Sequence, residues 1–248
     1  GTLISGVAHE INNPITSVML HAPSLARMWE AILPILDDHY EQHGDFAVGA
    51  TVFSRIRDRI PQMLTGITDD ARRVRDIVTD LKDFARDNPS EHEDRVDLND
   101  VVDKAVSLTS NLVNKSTKHF ILDCDPALPS FTGNAQRIEQ VVINLVVNAC
   151  QALPDINRSI IVTTAFNPQV KRIELIVKDQ GVGIDEAALK QIMDPFFTTR
   201  RESGGTGLGL SISDRIVRDH GGQMRFESQP GEGTTVRVTF PYGEKAPT

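Results

Sequence analysis

Apolar residues recur at helical spacing through the first 88 residues, where strand-like alternation is almost absent. Residues 39–51 are polar and contain two glycines, which predicts a turn between two antiparallel helices. The helix before it, over residues 3–36, contains three prolines (Pro14, Pro23 and Pro34), and each should kink or interrupt it. In the helix after the turn, the apolar residues are separated by threes, fours and one seven, on one face: Ile56, Ile60, Met63, Ile67, Val74, Ile77, Leu81 and Phe84.

Two antiparallel helices of this length leave part of their apolar stripes uncovered. A second copy of the hairpin would cover them and complete a four-helix bundle. We therefore expect a homodimer formed through residues 1–88.

The pattern changes after a short polar segment. Residues 89–94 contain a proline and no periodicity, which is typical of a linker, and strand-like and helical runs alternate from residue 95 onward. The short loop between runs 159–165 and 172–177 favours antiparallel neighbours. We expect an α+β multidomain chain with a helical hairpin at 1–88, a linker at 89–94 and an α/β sandwich at 95–248. The other runs are strands at 120–122, 223–227 and 234–240 and helices at 99–113, 135–153 and 208–220.

Composition and charge narrow the class of protein. Of 248 residues, 40% are hydrophobic and 24% are charged, and the formal net charge of −8 argues against a nucleic-acid partner. Cys124 and Cys150 are too few for a disulfide framework, so we expect free thiols in a reducing, cytoplasmic compartment. No apolar run approaches the roughly 20 residues of a membrane span, so we expect neither a signal peptide nor membrane contact within this sequence. Gly1 leads directly into the helical pattern, so we expect this chain to be a fragment of a longer protein. A membrane anchor elsewhere in that longer protein is compatible with this expectation.

An acid followed by two glycines is the first of three segments that can form a nucleotide pocket. Asp179-Gln180-Gly181-Val182-Gly183 follows a strand-like run, so the acid lies at the strand end and the glycines allow a tight turn beside a ligand. An ionised carboxylate only accepts hydrogen bonds, so Asp179 would favour the amino group of adenine over the carbonyl of guanine. Taken alone, the pattern is more typical of a structural turn.

The second segment is Gly204-Gly205-Thr206-Gly207-Leu208-Gly209, which leads directly into a helical run. Glycines at this place let backbone N–H groups approach phosphate oxygens, and the helix N-terminus adds partial positive charge. A flexible loop is the alternative. The spacing differs from both the Rossmann and the P-loop pattern.

The third segment holds two amides in an otherwise apolar helical run. Asn144 and Asn148 are four residues apart and share a helix face. Burying two amides there is costly unless they bind something, and amide oxygens suit Mg²⁺ beside phosphates. Amides satisfied by the backbone are the structural alternative.

Together with a histidine motif near the start, these segments resemble the boxes of one family, the sensor histidine kinases. The matching segments follow the order of its H, N, first glycine, F and second glycine boxes: His9-Glu10-x-x-Asn13-Pro14, Asn144-Leu145-x-x-Asn148-Ala149, Asp179-x-Gly181-x-Gly183, Phe196-Phe197 and Gly205-x-Gly207-Leu208-Gly209-Leu210. The resemblance covers nearly the whole chain. Five boxes in one order are far more specific than any one of them.

The resemblance implies a Bergerat-type ATP-binding fold, shared with gyrase and with chaperone and repair ATPases. It implies that Asn148 binds Mg²⁺, that Asn144 lies beside the phosphates and that Asp179 reads adenine. Residues 184–206 match the lid that closes over ATP. By the same match, further residues are expected at the nucleotide: Phe197, Arg200 near the γ-phosphate, Gly205, Thr206, Leu208 and Thr234.

His9 is the expected phosphoacceptor, because neutral imidazole is a nucleophile at cytosolic pH. The resemblance assigns Glu10 the role of accepting a proton from it, and implies relay of the phosphoryl group to an aspartate of a response regulator. Asn13 shares the face of His9 and can position a water that dephosphorylates that partner. The hairpin is longer than the family pattern; its extra part, with Trp29, Tyr40 and Phe46, is either an extended bundle tip or a site for another protein or signal.

Two other classes remain open at this point. A scaffold could dimerise and bind ATP without phosphoryl transfer, although intact Glu10, Asn148 and Gly207 weigh against it. A chaperone-type or repair-type ATPase would, by the same resemblance, carry a water-activating glutamate at the position of Asn144. Asparagine there predicts slow hydrolysis to free phosphate.

Overall fold

The computed structural model describes residues 2–85, 94–199 and 205–242. The chain separates into two units, Gly1–Arg86 and Asp87–Thr248. Residues 89–93 of the expected linker lie outside the described residues. Asp94, expected as its last residue, is instead the first residue of a strand.

The first unit is a helical hairpin, as predicted. Helices α1 (Thr2–His43) and α3 (Arg59–Ala85) pack against each other. α1 passes through its three prolines as one continuous helix, so the expected interruption does not occur. Each proline costs a helix interior about 3 kcal/mol, and packing on α3 offsets that cost. Among the described residues, no helix has both the length and the apolar character needed to cross a bilayer.

The connection between these helices is more ordered than the sequence indicates. α1 continues into the expected turn, and a two-stranded antiparallel ribbon follows it, β1 (Ala47–Val48) and β2 (Thr51–Val52). A short helix, α2 (Phe53–Ile56), then leads to α3. Strands of two residues show no alternation, so the sequence pattern could not reveal them.

A small aromatic core and one carboxylate hold this tip together. Phe53 is fully buried and stacks on Phe46, with ring centroids 4.9 Å apart. Asp45 accepts hydrogen bonds from Ser54 Oγ (2.6 Å), Ser54 N (3.1 Å) and Phe46 N (3.1 Å). The Ser54 hydroxyl, followed by the backbone donors, lowers the pKa of the Asp45 carboxyl. The extra part of the hairpin is therefore a packed structure.

The second unit is built on a five-stranded sheet with the order β4-β6-β7-β9-β8. β4 pairs parallel with β6, and the other neighbours are antiparallel, including the predicted β6–β7 pair. The elements of this unit are β3 (Asp94–Val96), α4 (Leu98–Ser116), β4 (His119–Cys124), β5 (Phe131–Gly133), α5 (Ala135–Ala152), β6 (Ser159–Asn167), β7 (Arg172–Asp179), α6 (Glu186–Leu189), α7 (Gly209–Asp219), β8 (Gln223–Gln229) and β9 (Gly233–Pro241). β3 and β5 form a separate pair that the sequence pattern did not predict.

Helices α5 and α7 pack on this sheet, and α5 is also in contact with α4 and α7. Along β6, β7 and β9, buried residues alternate with more exposed ones, as expected when only one face is covered. The predicted α+β sandwich is confirmed. Its fully buried side chains include Leu98, Ile138, Leu145, Ile160, Ile173, Leu175, Leu208 and Phe240.

Candidate nucleotide-binding site

Asp179 is the last residue of the central strand β7. In the sheet register it lies opposite Ile160 on β6 and Thr234 on β9. Ile160 belongs to the buried row that faces the helices, so the Asp179 side chain, only 5% exposed, also points into the helix layer. A carboxylate is thus held between sheet and helices at the end of a strand.

Two backbone N–H groups fix the orientation of this carboxylate. Oδ1 of Asp179 accepts hydrogen bonds from Gly181 N (2.7 Å) and Thr234 N (3.2 Å). The structure therefore brings together three of the predicted site residues, two of them 55 positions apart in the sequence. A buried carboxylate that is anchored in this way is well placed to read a hydrogen-bond donor on a ligand.

The loop after Asp179 is fastened on two sides. Val182 N donates to the Ala152 carbonyl at the end of α5 (3.0 Å), and Ile184 N donates to Ser228 Oγ on β8 (2.9 Å). Gly183 has φ +70°, and a Cβ there would overlap the Gln229 carbonyl, so only glycine fits. Ser228 was missed by the sequence analysis, because a serine on an edge strand gives no signal.

The two amides of α5 form a hydrogen-bonded chain with α7. Asn148 Nδ2 donates to Asn144 Oδ1 (3.3 Å), and Asn144 Nδ2 donates to Ser213 Oγ (2.8 Å). Both asparagines are half-buried, as the shared helix face predicts. Ser213 was also missed, although a serine beside Ile212 in the buried stripe of α7 is a usable signal.

The start of α7 lies directly against these amides. A Cβ on Gly209, its first residue, would lie 2.5 Å from Asn144 Oδ1, so glycine permits a contact that no other residue would. The N-terminus of an eleven-residue helix carries partial positive charge and free N–H groups. Amides and helix terminus together form a polar surface suited to phosphate oxygens.

One face of α5 connects the two ends of the site. Asn144, Asn148 and Ala152 follow each other at intervals of four residues, so they lie in a row over about 12 Å. Asn144 contacts the α7 terminus, and Ala152 contacts Gly181 beside Asp179. A nucleotide along this face would have its base at the carboxylate and its phosphates at the glycine loop.

The F-box segment is joined to the glycine loop through backbone groups. Phe196 N donates to the Gly207 carbonyl (2.9 Å), and a Cβ on Gly207, where φ is +71°, would clash with the carbonyls of Phe196 and Phe197. Thr206 Oγ1 accepts from Leu208 N (3.2 Å), and Leu208 is fully buried. Gly205 is half-buried, and Arg200 lies outside the described residues.

Known proteins resemble the chain over both units. The family model of the His Kinase A (phospho-acceptor) domain matches residues 1–90, and that of the histidine kinase-, DNA gyrase B-, and HSP90-like ATPases matches residues 133–244. A protein of Shewanella frigidimarina, provisionally named as a sensor protein, is 40% identical over 248 residues, 99% of this chain and 37% of its own. Sporulation kinase E of Bacillus subtilis is 28% identical over 246 residues, 99% of this chain and 29% of its own. The chain thus spans well under half of these relatives.

Solved structures of a histidine kinase, ThkA, resemble it as well. The catalytic domain of ThkA is 30% identical, with a TM-score of 0.54, over 61% of this chain and 98% of that one. The chain belongs to the sensor histidine kinases. A ThkA structure in complex with response regulator protein TrrA is 24% identical, with a TM-score of 0.62, over 98% of this chain and 62% of the ThkA chain, and it supports the two-unit fold.

The sensor kinase's expected acceptor residues lie in the first unit. His9 is within α1, but its side chain lies outside the described part of the chain. Glu10 and Asn13 are exposed on the same helix. Asn13 is four residues beyond His9 and therefore shares its face.

The side-chain oxygen of Asn148 on α5 is of the chemical type that binds Mg²⁺. Among the described residues, no group of three or more His, Cys, Asp or Glu side chains could hold a metal ion. Mg²⁺ does not need one, since it usually takes one or two protein oxygens and completes its shell with waters and phosphates. The hydrogen bond from Asn148 Nδ2 to Asn144 turns Asn148 Oδ1 away from Asn144, and no described residue donates to that oxygen.

Proposed function

We propose that this chain is the catalytic core of an ATP-dependent protein histidine kinase that transfers the γ-phosphoryl group of ATP to His9. The observation that carries the proposal is the anchored Asp179 carboxylate, which is placed to bind the base of ATP. The same chain also matches the family model of the phosphoacceptor domain. One feature of this chain disfavours each alternative. A scaffold that only binds ATP needs no acceptor histidine, whereas this chain has His9. An ATPase needs a base at the position of Asn144, where this chain has a neutral amide.

In this proposal the described residues divide between base and phosphates. Asp179 accepts the adenine amino group, with Gly181, Gly183 and Thr234 around it. Asn144 and the glycine loop, Gly205 to Gly209, receive the phosphates. The family match assigns Phe197 and Arg200 to the lid segment and gives Arg200 a role near the γ-phosphate. Mg²⁺, held through Asn148, neutralises phosphate charge when bound.

The transfer step then needs one nucleophile and one base. A neutral nitrogen of His9 attacks the γ-phosphorus, the bond to the β,γ-bridging oxygen breaks, and ADP leaves. Glu10 accepts the proton that the imidazole nitrogen gives up. The products are phosphohistidine, ADP and a proton. The reacting atoms must come within about 3–3.5 Å in line, so residues 89–93 are proposed to be a linker that allows this approach.

The exposed apolar residues of the hairpin support a homodimer. Along α1 and α3 the exposed large side chains are Val18, Leu20, Leu25, Met28, Ile32, Ile35, Met63, Ile67 and Val74. Leu20 and Ile35 are exposed by 66% and 69%, which is a large apolar area to leave in water. A second hairpin would cover this area in a four-helix bundle.

A response regulator is the proposed acceptor from phosphohistidine. ThkA forms a complex with the response regulator protein TrrA. The phosphoryl group would pass from His9 to an aspartate of such a partner. Asn13 would orient a water that dephosphorylates the partner and releases inorganic phosphate. We place these events in the cytoplasm, because Cys124 and Cys150 are free thiols, as is usual in a reducing compartment. Burial raises the pKa of both thiols.

Labelling with γ-³²P ATP and Mg²⁺ tests the proposal. The wild type should gain label that is stable in base and lost in acid, and His9→Gln should gain none. His21→Gln is the matched control, since His21 is an exposed histidine on the same helix. Full labelling of the His9 variant, or ATP binding without any labelling of the wild type, would end the proposal.

A further inference from the structure

Ser213 is a buried polar residue that lies outside all five sequence boxes. It is 1% exposed, and its neighbours in the buried stripe of α7 are Ile212 and Ile216. Its hydroxyl oxygen accepts the hydrogen bond from Asn144 Nδ2 at 2.8 Å. A hydroxyl is rarely buried among apolar side chains without a function for its hydrogen bond.

In this hydrogen bond Ser213 is the acceptor, and it holds the Asn144 amide in the orientation that the structure shows. With Nδ2 on Ser213, Oδ1 of Asn144 is turned toward Asn148 and Gly209. In the reversed amide, the Ser213 hydroxyl would have to donate to Oδ1 instead, and Nδ2 would bring an N–H group against Nδ2 of Asn148. Two donors cannot share a hydrogen bond, so the neighbouring amide would have to reverse as well.

The orientation of Asn148 follows from that of Asn144. Its Nδ2 donates to Asn144 Oδ1 at 3.3 Å, so its own Oδ1 is directed away from the pair. A reversed Asn148 would present an NH₂ group there instead. Amide oxygen binds a hard cation, whereas an NH₂ group repels it.

We propose that Ser213 is a positioning residue that orients both amides so that Asn148 presents its oxygen to the Mg²⁺ of bound ATP. The inference rests on the proposed function, because it concerns the metal of the same nucleotide site. Residues that orient a metal ligand typically change metal affinity about 10- to 100-fold when they are removed. Ser213 acts on the metal-dependent part of ATP binding and leaves the contacts of the base unchanged.

Calorimetric titration with ATP, once in excess Mg²⁺ and once in EDTA, separates these two parts. The ratio of the two Kd values is the metal-dependent gain. Ser213→Ala should lower this gain about tenfold, so its Kd should rise much more in Mg²⁺ than in EDTA. Ser213→Cys, which keeps the volume but is a weak acceptor, should lower it too, and Ser213→Thr, which keeps the hydroxyl, should largely restore it.

Thr109→Val is the matched control. Thr109 is a buried residue of α4 whose hydroxyl donates to the Ala105 carbonyl at 2.8 Å, within its own helix. Its replacement removes a buried helical hydroxyl away from the amide pair, so the metal-dependent gain should stay at the wild-type value. Thermal unfolding without nucleotide verifies that each variant is folded.

The inference is overturned if Ser213→Ala keeps the wild-type gain, or if its binding weakens equally with and without Mg²⁺. Failure of the proposed function has a different signature, because the wild type itself would then bind no ATP or would label no histidine. The electron paramagnetic resonance spectrum of Mn²⁺ with ATP gives a second readout. Ser213→Ala should reduce the protein-bound Mn²⁺ signal, and an unchanged signal would contradict the inference.

Discussion

Replacing Asp179 by asparagine changes a single atom type at the centre of the site. The side chain keeps its shape, and its position between β6 and β9 is set by the sheet register. In the wild type, Oδ1 accepts from Gly181 N and Thr234 N. An asparagine has one oxygen for these two donors and for the adenine amino group.

Either orientation of the new amide leaves donors facing each other. If its oxygen stays on Gly181 and Thr234, its NH₂ group faces the amino group of adenine. If it turns round, the NH₂ group faces the two backbone N–H groups. An unsatisfied buried donor costs about 1–3 kcal/mol, and loss of a charge-assisted hydrogen bond costs about as much. A total of about 3 kcal/mol corresponds to roughly 100-fold weaker ATP binding.

Selectivity between nucleotides should change in the opposite sense. The carboxylate of Asp179 repels the carbonyl oxygen of guanine, whereas an asparagine NH₂ group can donate to it. Asp179→Asn should therefore bind ATP more weakly and GTP more tightly than the wild type. Calorimetric titration with both nucleotides in Mg²⁺ measures the two Kd values directly. Asp123→Asn, an exposed acid on β4, is the control and should leave both unchanged.

If Asp179→Asn binds ATP within about threefold of the wild type and still rejects GTP, other groups read the base and Asp179 does not have the proposed role. Thermal unfolding of the nucleotide-free variant shows whether a weaker affinity reflects the site or a damaged fold.

Two further predictions concern backbone conformation and pH. Gly207→Ala should weaken ATP binding at least tenfold, because its left-handed φ costs a residue with a side chain about 1–2 kcal/mol and the new Cβ would lie 2.5 Å from the Phe196 carbonyl carbon. Gly66→Ala is the control, since Gly66 lies in a helix with open space around it. This variant should bind ATP normally and unfold at a slightly higher temperature. Folding lowers the pKa of the Asp45 carboxyl below its ordinary value of 3.8. The hydrogen bond from Ser54 to this carboxylate should therefore stabilise the hairpin tip fully above pH 3.8, and the stabilisation should be lost as the pH falls through the lowered folded-state pKa. The Ser54 amide signal in NMR spectra should follow this loss, and a shift at higher pH, or the same shift in Asp45→Asn, would contradict it.

Local sequence patterns predicted most of the fold. Helical spacing located α1 and α3, and short β-rich runs located all five strands of the main sheet, because each signal lies within a few neighbouring residues. The β3–β5 pair and the ribbon at the hairpin tip were missed. Strands of two or three residues are too short for a period of two to be read, and distant partners determine where they form.

The sequence by itself determined which chemical groups the site contains. An acid before glycines, two amides four residues apart and a glycine loop before a helix each follow from spacing along one element, so Asp179, Asn144, Asn148 and Gly209 could be named in advance. Which groups hold them in place depended on the tertiary structure. Ser213 lies 69 positions from Asn144 in the sequence and reaches it only because α5 and α7 pack together. Hydrogen bonds between distant elements exist only after the chain has folded, and no local pattern records them.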